Sequence, residues 1–188
     1  MVTRRRWTTT DLAEVTGERR DGDRHEIIDG ELFVSTQPHI NHQIVCGYIF
    51  ARLLSWSGIS GLGIPVLSPG VIFRSDTAVA PDVVWLSHER FARASHPDGK
   101  LHLAPELMVE VVSPGGTNSQ RDRETKRRLY GREGVQEYWI VDWQDRSVQV
   151  YRRDDEQLVL ATTVTQHDVL QSPLLPGFEV PVAQFFRP

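Results

Sequence analysis

Three side chains in this sequence combine a chemically useful type with an unexpected setting. Glu110 lies inside "PELMVEVVSPG", flanked by Met108, Val109, Val111 and Val112. A strand apolar on both faces is one covered on both faces, where an ionised carboxylate is costly unless paired. Asp82 follows Pro81 and opens "VVWL", a second apolar run. If the two runs are neighbouring strands, the carboxylates converge. At ~5 Å they repel by roughly 3 kcal/mol at an effective dielectric of 20, a penalty that a divalent cation turns into a binding site. The competing structural readings are that Asp82 caps nearby amides after Pro81 and that Glu110 pairs with an arginine. The third side chain is Lys126 in "DRETKRRLY". With Asp122 and Tyr130 it shares one helix face at i, i+4, i+8 spacing. An ammonium there could neutralise a phosphate. A solvated Asp122–Lys126 pair, worth only ~0.3–0.5 kcal/mol, is the plainer alternative.

The elements that must position these groups follow from periodicity and turn chemistry. "TTTDLAEV" (8–15) reads as a short capped helix. "HEIIDGELFV" (25–34) reads as a β-hairpin turning at Asp29-Gly30. Residues 39–56 carry Ile40, Ile44, Val45, Tyr48, Ile49 and Leu53 at helical spacing, and Gly58, Gly61 and Gly63 are expected to end that helix. Strands are expected near 64–67, 71–73, 80–87 and 107–112, with a polar connection holding at best a short helix over 87–105. Asn118 or Ser119 would cap a charged helix ending at Gly134. Strands at 137–142, 147–153 and 157–164 follow, then a Pro-punctuated loop and a short closing helix. This order points to an α+β or mixed α/β fold, and the length to a single domain over 1–188.

Composition narrows the function classes. The net charge is −4 with 24% charged residues, so any polyanion must be met by a local basic patch or by metal ions. Cys46, the only cysteine, excludes an internal disulfide. No apolar segment follows the basic start "MVTRRRW", and no run approaches the ~20 apolar residues of a membrane helix. A cytoplasmic location is expected, with no membrane partner. His39 and His42, three apart on a helix, lack a visible third ligand and read as surface or helix-start residues. Tyr138 and Trp139 read as core, Asp142 as the residue that meets the following turn, and Ser113 as a turn residue.

The segments "HEIIDGEL", "APDVVWL", "PELMVEVVSPG", "DRETKRRLYGREGVQEYWIVD" and "LLPGFEV" together resemble the PD-(D/E)XK nuclease superfamily. Within it they resemble the small bacterial proteins known as putative restriction endonucleases. The resemblance covers nearly the whole chain. It implies a restriction-endonuclease-like core, a central mixed β-sheet flanked by helices, with the hairpin at its N-terminal side. It also implies a Mg²⁺-dependent DNA endonuclease, with Mn²⁺ as a possible substitute. Asp82 and Glu110 would be the metal-binding acids and Glu26 a further acid that completes the metal site or, equally, an exposed cross-strand residue. The superfamily pattern places a lysine two residues after the glutamate. Here that position is Val112, and Lys126 on the following helix matches the relocated lysine of the narrower family. Arg121, Arg123, Arg127 and Arg128 could contact a nucleic-acid backbone or form a solvated face. A double-strand cut would call for a homodimer. Two rival readings remain: an inactive nucleic-acid- or protein-binding module on a nuclease scaffold, and a metal-free carboxylate-pair hydrolase acting on sugars.

Overall fold

The computed structural model describes residues 5–18, 23–112 and 121–186. Helix α1 (Thr9–Glu18) opens with a reciprocal cap: Asp11 Oδ2 accepts from the Thr8 amide and hydroxyl, both at 2.8 Å. Strands β1 (Arg24–Ile28) and β2 (Glu31–Ser35) form the expected hairpin. Asp29 and Gly30 both take positive φ, 50° and 81°, as its two-residue turn demands. Helix α2 (Ile40–Ser60), strands β3 (Gly63–Leu67), β4 (Val71–Arg74), β5 (Thr77–Val79) and β6 (Val83–Ser87), helix α3 (His88–Ala94) and strand β7 (Leu107–Val112) follow. A π-helical turn, Arg121–Lys126, runs into helix α4 (Arg127–Glu133). Strands β8 (Glu137–Asp142), β9 (Ser147–Asp154), β10 (Gln157–Thr165), β11 (Val169–Gln171) and β12 (Glu179–Pro181) and a 3₁₀ turn (Val182–Phe185) complete the described chain.

The central sheet has six strands in the order β10-β9-β8-β7-β6-β3. β7 and β8 pair in parallel while its other neighbours are antiparallel, so the sheet is mixed, as the sequence led us to expect. A parallel pair needs a crossover, and the Lys126-bearing helix lies on that connection. A second sheet, β2-β1-β5-β4, carries the hairpin, and β11-β12 form a third.

Strand alternation divides the core. Val83, Trp85, Leu107, Val109, Val111, Trp139 and Val141 pack with Val45, Ile49 and Leu53 of α2. The intervening residues Val84, Leu86, Met108, Val112, Tyr138 and Ile140 pack with Leu129 and Tyr130 of α4 and Ile28 and Val79 of the second sheet. Every residue of β7 is buried. Glu110, between Met108 and Val112, therefore belongs to the α4 side. Helix α4 comes very close to β10: a Cβ at Gly131 would stand 2.8 Å from the Glu156 carbonyl oxygen.

Four expectations are corrected. Helix α2 does not stop at Gly58. It ends at Gly61, whose left-handed φ of 66° lets its amide cap Ser57, and Gly63 is already in β3. Its buried stripe keeps Val45, Ile49 and Leu53 of the one read in the sequence, but Ile40 and Ile44 are exposed and His42, Cys46 and Ser57 are buried instead. The three-residue β5 was hidden in a connection too short to show alternation. The Pro-punctuated tail holds β12, paired with β11 just before it, as well as the expected closing turn. Asn118, Ser119 and Ser113 lie outside the described residues.

Candidate active site

The four residues singled out by the sequence are all buried: Glu26 and Glu110 are 1% exposed, Asp82 2% and Lys126 1%. β6 and β7 are indeed neighbours, with Val83 opposite Val109. Continuing that register one step sets position 82 opposite 110. The Lys126 ammonium lies 2.7 Å from Glu110 Oε1 and 3.0 Å from Glu26 Oε1, bridging two strands of different sheets. Tyr130, one turn further along the helix, donates its hydroxyl to the same Glu110 oxygen at 2.8 Å. The shared face of Lys126 and Tyr130 is thus real, and it is aimed at Glu110. The side chain of Asp122, the third member of that face, lies outside the described residues. Glu26 Oε1 also accepts the Ala80 amide at 2.9 Å, so it is a buried group rather than an exposed cross-strand residue.

Asp82 has a different set of partners. Its Oδ1 accepts from Arg24 at 2.8 Å. Its Oδ2 accepts the Val111 amide at 2.8 Å and lies 3.1 Å from His42 Nε2. The amide it caps is on the neighbouring strand, beside Glu110, rather than in its own turn. The site thus has two halves, Asp82 with Arg24 and His42, and Glu110 with Glu26, Lys126 and Tyr130. The Val111 backbone and the charge of Arg24 link them.

The electrostatics follow from this arrangement. Burial would raise the Asp82 carboxyl, but the His42 hydrogen bond, the Arg24 charge and the Val111 amide together hold it well below the usual carboxylate range. Burial works against the Arg24 cation, and the charges of Asp82, Glu110 and Glu26 outweigh it, so the guanidinium is held more firmly protonated than usual. Burial, reinforced by the Glu110 charge, pushes the Tyr130 phenol far up and keeps it a donor. The Cys46 thiol is pushed up by burial first and by Asp82 next. Cys46 Sγ lies 3.5 Å from His42 Nδ1. An ionised carboxylate only accepts, so His42 Nε2 donates to Asp82.

Sequence reasoning missed Arg24, His42, Cys46 and Tyr130 as parts of this cluster. One signal was available: His42 and Cys46 are four apart on α2. His39 does take the expected helix-start role, its Nδ1 accepting the Asn41 amide at 3.1 Å. His42 departs from it by being buried. Asp142 meets the following turn, accepting the Gln144 and Asp145 amides at 3.1 Å, and Tyr138 and Trp139 are fully buried. Arg123 pairs with Asp142 at 2.6 Å, Arg127 donates to the Leu158 carbonyl at 2.7 Å and Arg128 pairs with Glu124. The side chain of Arg121 lies outside the described residues.

Comparison with known proteins places this geometry in context. The model of the Uma2 family, described as "Putative restriction endonuclease", matches residues 10–183. The crystal structure of a putative nuclease belonging to DUF820 from Anabaena variabilis ATCC 29413 superposes with a TM-score of 0.69 at 18% identity, covering 86% of this chain and 89% of that one. At that identity the likeness establishes a common fold, the restriction-endonuclease-like mixed sheet. The type IIG restriction endonuclease BpuSI matches over 85% of this chain and 17% of its own, with 17% identity and a TM-score of 0.40. No curated protein matches the chain.

Proposed function

The chain belongs to the Uma2 family of putative restriction endonucleases, and from that premise we propose that it is a metal-dependent endonuclease that hydrolyses DNA phosphodiester bonds. The observation that supports this reading most is the burial of three carboxylates, Glu26, Asp82 and Glu110, two of which meet one helix lysine while Asp82 holds the amide next to Glu110. Carboxylate oxygens are the hard donors that Mg²⁺ takes, commonly one or two with water and phosphate filling the other positions. Lys126 already holds a positive charge between Glu26 and Glu110, so the place accepts a cation. On this reading a divalent metal would be held by Asp82 and Glu110, with Glu26 as a further acid, and would take over the charge that Lys126 now supplies to Glu110. When bound, the ion would activate a water and take up charge developing on the phosphate.

The chain's own groups have separable tasks. Arg24, His42 and the Val111 amide keep Asp82 ionised and fix its plane. Tyr130 and Lys126 orient Glu110. The Lys126 ammonium supplies positive charge near the scissile phosphate.

The test is cleavage of plasmid and linear DNA with Mg²⁺ or Mn²⁺. Asp82→Asn, Glu110→Gln and Lys126→Met should each lower the rate by at least ~10²-fold. Absence of metal-dependent cleavage by the unaltered protein, or cleavage that persists in the Asp82 and Glu110 variants, would refute the proposal.

One observation favours a second reading. The acids are already neutralised by Arg24 and Lys126 and nearly closed to solvent, as in a nucleic-acid- or protein-binding module that keeps the cluster for its fold. Calorimetric titration with Mg²⁺ and Mn²⁺ separates the two. Heat lost in Glu110→Gln supports the nuclease, and no heat in either protein supports the module.

A further inference from the structure

Away from the buried cluster, ligand-type side chains converge on the loop between α3 and β7. His96, Asp98 and His102 each bring one ligand atom within 4.8 Å of the other two. The backbone sets this up. Ser95 and Leu101 form an antiparallel bridge, flanked by hydrogen bonds from the His96 amide to the Lys100 carbonyl at 3.1 Å and from the His102 amide to the Ala94 carbonyl at 2.8 Å. That register makes His96 and His102 diagonal neighbours on one face of a short arm. Their rings stack with centroids 4.0 Å apart and planes 25° apart. The turn folds Asp98 back against both: Oδ1 lies 3.1 Å from His96 Nδ1 and Oδ2 2.9 Å from His102 Nε2. The Lys100 amide donates to Oδ1 at 3.0 Å. The arm itself is tied to β4, the Ile72 amide donating to the Leu101 carbonyl at 2.8 Å and the Leu101 amide to the Gly70 carbonyl at 3.0 Å.

We infer that His96, Asp98 and His102 form a surface site for a divalent transition-metal ion that favours imidazole, Zn²⁺ first, with water completing its coordination. Two imidazole nitrogens and a carboxylate are a donor set that suits Zn²⁺, Ni²⁺ and Cu²⁺ over Mg²⁺. Zinc bonds of ~2.0–2.2 Å need donors a little over 3 Å apart; an Asp98 oxygen already lies that near each ring nitrogen, and binding would require the stacked rings to unstack and turn both lone pairs onto the ion. His96 Nδ1 and His102 Nε2 give their lone pairs to the metal, and any protons they carried pass to solvent. All three side chains reach solvent, at 51%, 37% and 35% exposure, so the ion needs no opening of the fold. The site is independent of the nuclease reading.

ZnCl₂ titration by calorimetry of the unaltered protein beside His96→Ala/His102→Ala, which leaves the buried His42, Cys46 and Asp82 group in place in both, tests this. One zinc should bind, and His96→Ala/His102→Ala should weaken it at least tenfold. At a free zinc concentration 100-fold above Kd, Tm should rise by about 5–10 °C, and the rise should vanish in the double variant. Asp98→Asn, a milder change, should weaken binding in the same direction. With one equivalent of Cu²⁺, electron paramagnetic resonance should show two equatorial nitrogens. Equal zinc affinity in the double variant, or a Tm unmoved by zinc in the parent, would overturn the assignment and leave a hydrogen-bonded loop only.

Discussion

Two ion pairs on one helical segment make an instructive contrast. Lys126 meets Glu110 with both side chains 1% exposed. Arg128, two residues on, meets Glu124 with the side chains 73% and 48% exposed. Both pair a cation with a glutamate. The exposed pair exchanges one hydrated state for another, and such pairs are worth ~0–1 kcal/mol. The buried pair has given up its water, so each partner depends on the other, and removing one leaves an uncompensated charge. The same side-chain chemistry is ornament on one face of the helix and a constraint on the other.

Three substitutions sharpen that contrast. The largest effect is expected from Lys126→Met, which keeps the volume and strands Glu26 and Glu110 against each other. We expect a loss of about 3–5 kcal/mol in urea unfolding, partly recovered by adding Glu110→Gln. A loss below ~1 kcal/mol would mean the cluster is solvated after all. Next is Asp82→Asn, expected to cost about 2–3 kcal/mol through its charge-assisted hydrogen bonds. It also carries a pH signature. The folded Asp82 carboxyl lies below its unfolded value, so its stabilisation is complete above roughly pH 4–5 and drains away as pH falls toward the folded value. The acid limb of a stability-versus-pH curve should be shallower in the variant, and identical limbs would contradict the assignment. The smallest effect belongs to Arg128→Ala, within about 0.5 kcal/mol, and it should shrink further in high salt.

The sequence made the central sheet legible because its strands alternate or run apolar over five or more residues, and the hairpin because Asp29-Gly30 demands one turn type. β5, β11 and β12 escaped, since three residues cannot display a period. Within the site, Asp82 and Glu110 were legible as acids out of place, and Lys126 by the face it shares with Tyr130. His42 was not legible. The apolar count on α2 favoured the side bearing Ile40 and Ile44, yet the helix buries His42 and Ser57, which find polar partners at the sheet, and Cys46, which lies beside His42. His42 meets Asp82, and the Ser57 hydroxyl accepts the Trp85 indole N–H at 3.0 Å. Those partners are 28 and 40 residues away in sequence, so no local pattern announces them.

Gly131 bears on all of this without touching any of it. Helix α4 rests on β10 backbone to backbone there, so the stand-off between helix and sheet is gauged by a missing methyl group. Lys126 lies five residues upstream, about 7.5 Å of helical rise, at the far end of the same lever. The aim of the ammonium at its two acids is thereby set by a residue that carries no chemistry of its own.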